Sequence, residues 1–215
     1  MRWEKIVKQL EFILKEQLIS IIRVGSSKDI DKIVASLYQG GIRVIEITLN
    51  TPGALDAIRK ISNMYPDVLV GAGTVLNANE AKEAIQVGAQ FLLSPTLSQS
   101  TVQIGVKEDI PVIPGVMTPT EALAAYEYGA EMVKVFPVRS LGVEFAADLA
   151  GPLPFIKLAA VGGVSIANAG DFLQAGWHVL GIGGQLVNHQ LIAENNFAEI
   201  ERRAKKLIQI RDEIK

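Results

Sequence analysis

The sequence contains no cysteine and only two histidines among its 215 residues. The lack of cysteine excludes disulfides, thiolate metal ligands and a cysteine nucleophile, and it is typical of cytoplasmic proteins. Neither His178 nor His189 has a partner at metal-ligand spacing, and no cluster of Asp, His and Glu indicates a divalent metal. We therefore expect a site without a metal ion, and we assign both histidines to packing or to exposed positions.

A strong excess of one charge and long apolar runs are also missing. The 21 basic and 23 acidic residues leave a net charge of −2, which indicates neither nucleic-acid nor membrane partners. No run reaches the length of a transmembrane helix, and the charges spread through residues 1–17 do not predict a signal peptide. We therefore expect a cytoplasmic protein folded as a single domain over residues 1–215.

What the sequence does contain is a repeated unit. Short apolar segments recur about every 20 to 25 residues, which is the spacing of a strand, a loop, a helix and a return loop. Apolar residues at helical spacing separate them, and such continuous apolar strands are expected where helices cover a parallel sheet. The predicted strands lie at 18–24, 43–49, 68–73, 90–95, 111–115, 132–137, 155–163 and 178–184.

Eight such units predict an α/β fold, a single (β/α)8 TIM barrel, with a doubly wound open sheet as the alternative. Both ends of the chain predict additional helices that pack on the barrel. Residues 1–16 carry an apolar stripe that includes Trp3, Val7 and Ile13, and residues 197–214 carry a similar one.

Two charged residues interrupt otherwise apolar predicted strands. Lys134 lies inside MVKVFP, and Glu46 holds the same place in VIEITLN. A closed barrel has no edge from which Lys134 can reach water, and desolvation makes an amine a nucleophile toward carbonyls. A carboxylate in the same cavity can move protons for it. We therefore predict a catalytic Lys134–Glu46 pair, with Lys157 as the competing lysine.

Arg23 closes the first predicted strand, at the end of the barrel where the chemistry of this fold lies. A guanidinium there suits a carboxylate or a phosphate, which it binds through two parallel hydrogen bonds. A structural ion pair between Glu46 and either Arg23 or Lys134 is the alternative.

Glycine-rich loops follow three of the predicted strands. GAGTV at 71–75 places the Thr74 hydroxyl beside exposed backbone N–H groups. Glycine pairs follow strands seven and eight, where barrels commonly bind phosphate through backbone N–H groups. The two pairs together predict an anion site made of Gly162, Gly163, Gly183 and Gly184.

From about residue 17 to the C-terminus the sequence resembles the class I (Schiff-base) aldolases that act on 2-keto-3-deoxy-6-phosphogluconate (KDPG) and 4-hydroxy-2-oxoglutarate (KHG). Six segments occur in that family's order and spacing. They are GGIRVIEITLNTPGALDAI, VGAGTVLN, GAQFLLSPTLS, IPVIPGVMTPTEAL, YGAEMVKVFP and GGVSIANAGDFLQAG.

The resemblance implies a lyase that cleaves a 2-keto-4-hydroxy acid to pyruvate and an aldehyde. It implies a Schiff base on Lys134, with Glu46 as general acid and base and Arg23 facing the substrate carboxylate. It also implies a homotrimer that uses no metal and no organic cofactor. The pyruvate pocket would be lined by Thr74, Pro95 and Phe136, and the distal anion site by the four glycines.

Three positions depart from the family pattern. Asn50 stands where many members carry arginine, and Val161 and Gln185 stand where members carry hydroxyl residues beside the glycine pairs. These departures keep other hypotheses open. One is a 2-keto-3-deoxy-6-phosphogalactonate aldolase, another is a phosphate-binding barrel of a different reaction type, and the third is a barrel that binds keto acids without turnover.

Overall fold

The computed structural model describes residues 4–214, and its centre is one parallel sheet. The strands are short and buried throughout, apart from the half-buried first residue of β8. They are β1 (Leu18–Ile22), β2 (Val44–Thr48), β3 (Leu69–Gly73), β4 (Leu92–Leu93), β5 (Val112–Ile113), β6 (Gly115–Val116), β7 (Met132–Val135), β8 (Lys157–Val161) and β9 (Val179–Ile182).

The strand order shows how the sheet closes. Along the sheet it is β5-β4-β3-β2-β1-β9-β8-β7-β6. The strands at the two ends of this order, β5 and β6, are consecutive in the chain and are separated only by Pro114. β5 pairs with β4 and β6 pairs with β7, which joins the two sides into a barrel with eight strand positions. The predicted (β/α)8 barrel is therefore confirmed, with its fifth strand interrupted at a proline that cannot donate to the ladder.

Helices follow the strands, and several of them begin at a residue whose side chain accepts hydrogen bonds from the first turn. α6 begins with a capping box, in which the Thr118 hydroxyl accepts from the Glu121 N–H and the Glu121 carboxylate accepts from the Thr118 N–H. The helices are α1 (Glu4–Glu16), α2 (Ile30–Gln39), α3 (Ala54–Met64), α4 (Ala78–Gln86), α5 (Gln99–Lys107), α6 (Pro119–Glu127), α7 (Phe145–Ala150), α8 (Ala169–Gln174), α9 (His189–Ala193) and α10 (Phe197–Ile214).

Alternation along each strand divides the core into two shells. In β1, Leu18 and Ile22 pack outward against the helices, whereas Ile19 and Ile21 point into the barrel. The inner shell is apolar near the start of the strands, so a polar residue inside the barrel is an exception that needs a reason.

The helix α1 closes the barrel at the end where the strands begin. Ile6, Leu10 and Ile13 belong to the inner apolar cluster, and both predicted terminal helices are confirmed. Val7, expected in the buried stripe, is 39% exposed because it lies on the outer side of α1. Trp3 lies outside the described residues.

None of the helices within residues 4–214 is both long enough and apolar enough to span a membrane.

Candidate active site

Lys134 and Glu46 both lie inside the barrel, on strands β7 and β2. Their side chains are 3% and 1% exposed, respectively. Lys134 pairs in register with Gly115 and Ala159, so small neighbours on both sides leave room around its amine. The two residues therefore face one enclosed space from different strands.

The site is electrostatically unusual because both groups are held away from water. Burial lowers the pKa of the Lys134 amine, and the Arg23 charge lowers it further, while the Glu46 carboxylate partly opposes the shift. Burial raises the pKa of Glu46, and the charges of Lys134 and Arg23 partly offset that rise. Both shifts favour the neutral forms, a neutral amine and a protonated carboxyl, which are suited to nucleophilic attack and proton transfer.

The Glu46 carboxylate occupies space that exists only because residue 73 is glycine. A Cβ built on Gly73 would lie 1.5 Å from Glu46 Oε1, so any larger residue would displace the carboxylate. Both Glu46 oxygens are buried, and the structure, over the residues it describes, gives neither a hydrogen-bond partner. An unpaired buried carboxyl group is costly, so we expect a substrate group or a water molecule to complete the site.

A cavity of about 340 Å³ opens above Lys134 at the ends of the strands. It is lined by most of the residues that the sequence predicted for the site. These are Arg23, Lys134, Phe136, Gly162, Gly163, Gly183 and Gly184.

Three predicted residues lie next to this cavity rather than in its lining. Glu46 is buried in the barrel interior, and Thr74 lies beside the cavity, where its hydroxyl accepts a hydrogen bond from Arg23 Nη2 at 3.4 Å. Thr74 has a φ of 58°, a left-handed backbone that costs about 1–3 kcal/mol and tends to occur at functional sites. The backbone of Pro95 packs against Gly115, because a Cβ on that glycine would lie 2.3 Å from the Pro95 carbonyl.

Arg23 forms no ion pair with Glu46 among the described residues, where the recorded ion pairs lie on the outer surface. Its guanidinium is exposed at the cavity wall, with the Thr74 hydroxyl as its hydrogen-bond partner. Arg23 is therefore placed to meet an anion entering from solvent.

The glycine pair after β8 also makes room for two side chains. A Cβ on Gly162 would lie 2.9 Å from the Phe136 ring, and one on Gly163 would lie 2.6 Å from the Arg139 Cβ. The Phe136 ring in turn lies 4.8 Å from Lys134 Nζ, measured to the ring centroid. The glycine pair therefore leaves room for two side chains that line the cavity, and it also supplies backbone N–H groups.

Sequence reasoning missed Arg139, His189 and Gly73. Arg139 and His189 both line the cavity, and Gly73 shapes the space for Glu46. A signal for Arg139 was present, since a cation two residues after the VFP segment (135–137) falls in a loop at the catalytic end of a barrel.

The competing residues lie elsewhere. Lys157 begins β8 opposite Met132, at the end of the barrel that α1 closes. His178 accepts a hydrogen bond from the Leu158 N–H at 3.2 Å, and burial lowers the pKa of its imidazole. Both positions are consistent with packing roles.

These features define a parallel β/α barrel with a buried lysine and a buried carboxylate at its open end. The family model for KDPG and KHG aldolases matches residues 10–203. The chain belongs to this family, which confirms the resemblance found in the sequence.

Individual relatives agree with this assignment. The KHG/KDPG aldolase of Escherichia coli strain K12 is 35% identical over 194 residues, covering 89% of this chain and 91% of that protein. A protein of Rhizobium meliloti named a probable 2-dehydro-3-deoxy-6-phosphogalactonate aldolase is 34% identical, covering 80% of this chain and 82% of its own length.

A solved structure adds chemical information about a relative. The KDPG aldolase of Legionella pneumophila, with pyruvate captured at low pH as a covalent carbinolamine intermediate, has a TM-score of 0.85 and 28% identity to this chain. The comparison covers 91% of this chain and 95% of that one.

Proposed function

We propose that this chain is a class I aldolase that cleaves a 2-keto-4-hydroxy acid of the KDPG or KHG type to pyruvate and an aldehyde. The observation that carries the proposal is the buried Lys134, whose lowered pKa supplies a neutral amine beside the unpaired carboxyl of Glu46. The carbinolamine captured in the Legionella relative supports the same chemistry.

The first half of the reaction builds an electron sink. The neutral Lys134 amine attacks the C2 carbonyl carbon of the substrate and gives a carbinolamine. Glu46, whose pKa is raised by burial, donates a proton to the departing hydroxyl, which leaves as water. The resulting protonated imine withdraws electrons from the C3–C4 bond.

The second half breaks the carbon–carbon bond and restores the enzyme. The Glu46 carboxylate takes the proton of the C4 hydroxyl, the C3–C4 bond cleaves, and its electron pair forms an enamine while an aldehyde departs. Glu46 then returns the proton to C3, which gives the pyruvate imine, and water releases pyruvate from Lys134.

Substrate binding follows from the charges of the cavity. Arg23 binds the C1 carboxylate with help from the Thr74 hydroxyl. Phe136, whose ring lies 4.8 Å from Lys134 Nζ, and Pro95, which packs against Gly115 on the strand beside Lys134, line the pyruvate pocket. The backbone N–H groups of the two glycine pairs receive the distal end of the substrate. In this proposal the reaction uses no metal and no organic cofactor.

Trapping tests the covalent step. Sodium borohydride reduces an imine to a stable secondary amine, so wild-type protein incubated with pyruvate and borohydride should carry one adduct on Lys134. Peptide mass mapping locates it, and a Lys134→Ala variant should carry none, whereas Lys157→Ala should be trapped as the wild type is. Absence of an adduct on the wild type contradicts the Schiff-base mechanism.

A phosphogalactonate aldolase is the second candidate, and the Rhizobium meliloti relative favours it. The two assignments differ in the configuration of the substrate at C4. Lactate dehydrogenase coupled to pyruvate release, run with both phosphorylated epimers and with KHG, ranks the substrates by kcat/KM.

We also propose that the chain forms a homotrimer. An apolar surface on and beside α6 supports association, since Leu123, Tyr126 and Phe155 are exposed and the last two rings lie 4.6 Å apart. Light scattering after gel filtration should give three times the chain mass, and Leu123→Glu should lower it. A monomeric wild type contradicts the trimer and leaves the aldolase proposal standing.

A further inference from the structure

Arg139 places a second permanent cation in the cavity. It lies in the short turn Val138–Ser140, directly after the strand that carries Lys134, and it is exposed to solvent. The residues that line the cavity include Arg23, Lys134 and Arg139 but no aspartate or glutamate. Within the described part of the chain no ion pair is recorded for Arg139, so its charge is available to a ligand.

The fold holds the backbone of Arg139 in place. The Arg139 N–H donates to the Gly162 carbonyl oxygen at 3.1 Å, which links the loop after β7 to the loop after β8. Gly163 has a φ of 125°, and a Cβ there would lie 2.6 Å from the Arg139 Cβ. Residue 163 must therefore be glycine both for its backbone and for the arginine stem beside it.

Contacts order the cavity from its base to its mouth. Lys134 Nζ lies 4.8 Å from the centroid of the Phe136 ring, which packs against Gly162, and Gly163 packs against Arg139. Burial decreases in the same order, from the buried Lys134 through the half-buried Phe136 to the exposed Arg139. A substrate bound at C2 by Lys134 would therefore extend past Phe136 toward Arg139.

We propose that Arg139 determines specificity by binding the distal anionic group, phosphate or carboxylate, of the aldehyde half of the substrate. The inference rests on the aldolase function proposed above and identifies the residue that selects its substrate. A guanidinium binds either anion through two parallel hydrogen bonds, and the N–H groups of the glycine loops add donors on the other side. Arg23 and Arg139 thus match the two charged ends of one substrate.

Condensation of pyruvate with three aldehydes tests Arg139. Glyceraldehyde 3-phosphate carries a distal phosphate, glyoxylate carries a carboxylate, and glyceraldehyde is neutral. Arg139→Ala should lower kcat/KM about 10- to 100-fold for the anionic aldehyde that Arg139 binds, the usual loss for a charged hydrogen-bond partner, with little change for glyceraldehyde. A loss with only one of the two anionic aldehydes shows whether Arg139 binds a phosphate or a carboxylate. A loss with both shows that Arg139 binds either anion.

Two further variants sharpen the test. Arg139→Lys keeps the charge without the planar fork and should recover part of the loss. Arg59→Ala removes an exposed arginine of α3, whose partner is Asp56 at 3.0 Å, and should leave all three aldehydes unaffected. An equal loss with charged and neutral aldehydes, or no loss with any of them, overturns the proposal.

Exchange of the pyruvate methyl protons with D2O by the wild type separates the two levels of proposal, because this partial reaction needs no aldehyde. If the wild type exchanges but Arg139→Ala does not discriminate, the role of Arg139 is wrong and the aldolase function stands. If the wild type neither exchanges nor condenses, both fail.

Discussion

The two ends of this barrel are built on the same strands but are filled in opposite ways. At the closed end, α1 inserts Ile6, Leu10 and Ile13 into an apolar cluster. At the open end, Lys134 and Glu46 are buried inside the barrel, beneath a cavity with cationic walls. We therefore expect the first end to contribute mainly to stability and the second to carry the chemistry.

A lysine stands at each end, and the difference between them is instructive. Lys157 is half-buried at the start of β8, where a long side chain can reach water. Lys134 lies two residues further along the barrel, opposite Ala159, and is buried. A difference of two residue positions along the barrel thus separates a half-buried lysine from a buried one whose pKa is lowered by burial.

Replacing each lysine by methionine should give the largest contrast. Lys134→Met removes the nucleophile and should lower kcat/KM for aldol cleavage by at least about 10⁴-fold, since the imine cannot form. Lys157→Met keeps an apolar stem of similar length at the closed end and should retain nearly all activity. Pyruvate release is measured in a coupled assay for both variants.

The reverse ranking would contradict the comparison. If Lys157→Met loses the greater part of the activity while Lys134→Met keeps it, the chemistry lies at the closed end and the site assigned here is wrong. Circular dichroism confirms that both variants are folded.

Glu46→Gln should give the next largest effect. The amide keeps the shape of the side chain but cannot carry a proton between oxygen and carbon, which is worth about 10²–10⁴-fold in rate. Exchange of the pyruvate methyl protons with D2O, followed by NMR, measures this loss directly. Borohydride should still trap pyruvate on Lys134, although more slowly.

Gly73→Ala is the steric counterpart of that change. It keeps the carboxylate but forces it to move, because the new Cβ would lie 1.5 Å from Glu46 Oε1. Exchange should fall here too, with a stability loss of about 1–3 kcal/mol from overpacking. Gly25→Ala, where a Cβ would meet no atom within 4 Å, is the matched control. Normal exchange in Gly73→Ala would show that the position of Glu46 is unimportant.

Substitutions at the closed end should change the stability of the protein but not its activity. Ile13 is fully buried, so Ile13→Ala should lower the free energy of unfolding by about 2–5 kcal/mol while kcat/KM stays near the wild-type value. Val7→Ala changes an exposed residue of the same helix and should cost less than about 0.5 kcal/mol. Urea unfolding measures both, and an activity loss in folded Ile13→Ala would mean that the two ends are coupled.

Sequence patterns were sufficient for the elements and for the pair inside the barrel. Lys134 and Glu46 stood out because each interrupts an apolar run, which is a local signal, and the strands and both terminal helices were found by periodicity. The break at Pro114 was missed, because the run over residues 111–115 looks continuous.

The role of Gly73 and the contact partner of Arg139 could not be assigned from local patterns. The role of Gly73 depends on the position of the Glu46 carboxyl group, which comes from the neighbouring strand β2. The position of Arg139 depends on a hydrogen bond to a loop more than twenty residues away. Such contacts follow from register and closure, which local periodicity does not encode.

The smallest expected effect is a gain of stability at the open end when both buried ionisable groups are replaced by apolar ones. The raised pKa of Glu46 means that the native state holds its proton at a pH where the unfolded chain has lost it, so stability falls as pH rises from about 4.5 through the folded pKa. The lowered pKa of Lys134 means that the native state has lost this proton at a pH where the unfolded chain still holds it. Stability therefore rises with pH from the folded pKa of Lys134 toward about 10.5. Near neutral pH both groups therefore lower the free energy of unfolding.

A Lys134→Met/Glu46→Met double variant should consequently be more stable than the wild type by about 1–3 kcal/mol near neutral pH, as found when buried ion pairs are replaced by apolar residues. The gain should shrink at pH values below about 4.5, where Glu46 is protonated in both states. Urea unfolding from pH 4 to pH 9 measures it, with exposed Lys82→Met as the control. A double variant less stable than the wild type at every pH would mean that the pair stabilises the barrel, and the division between a stabilising end and a catalytic end would not hold.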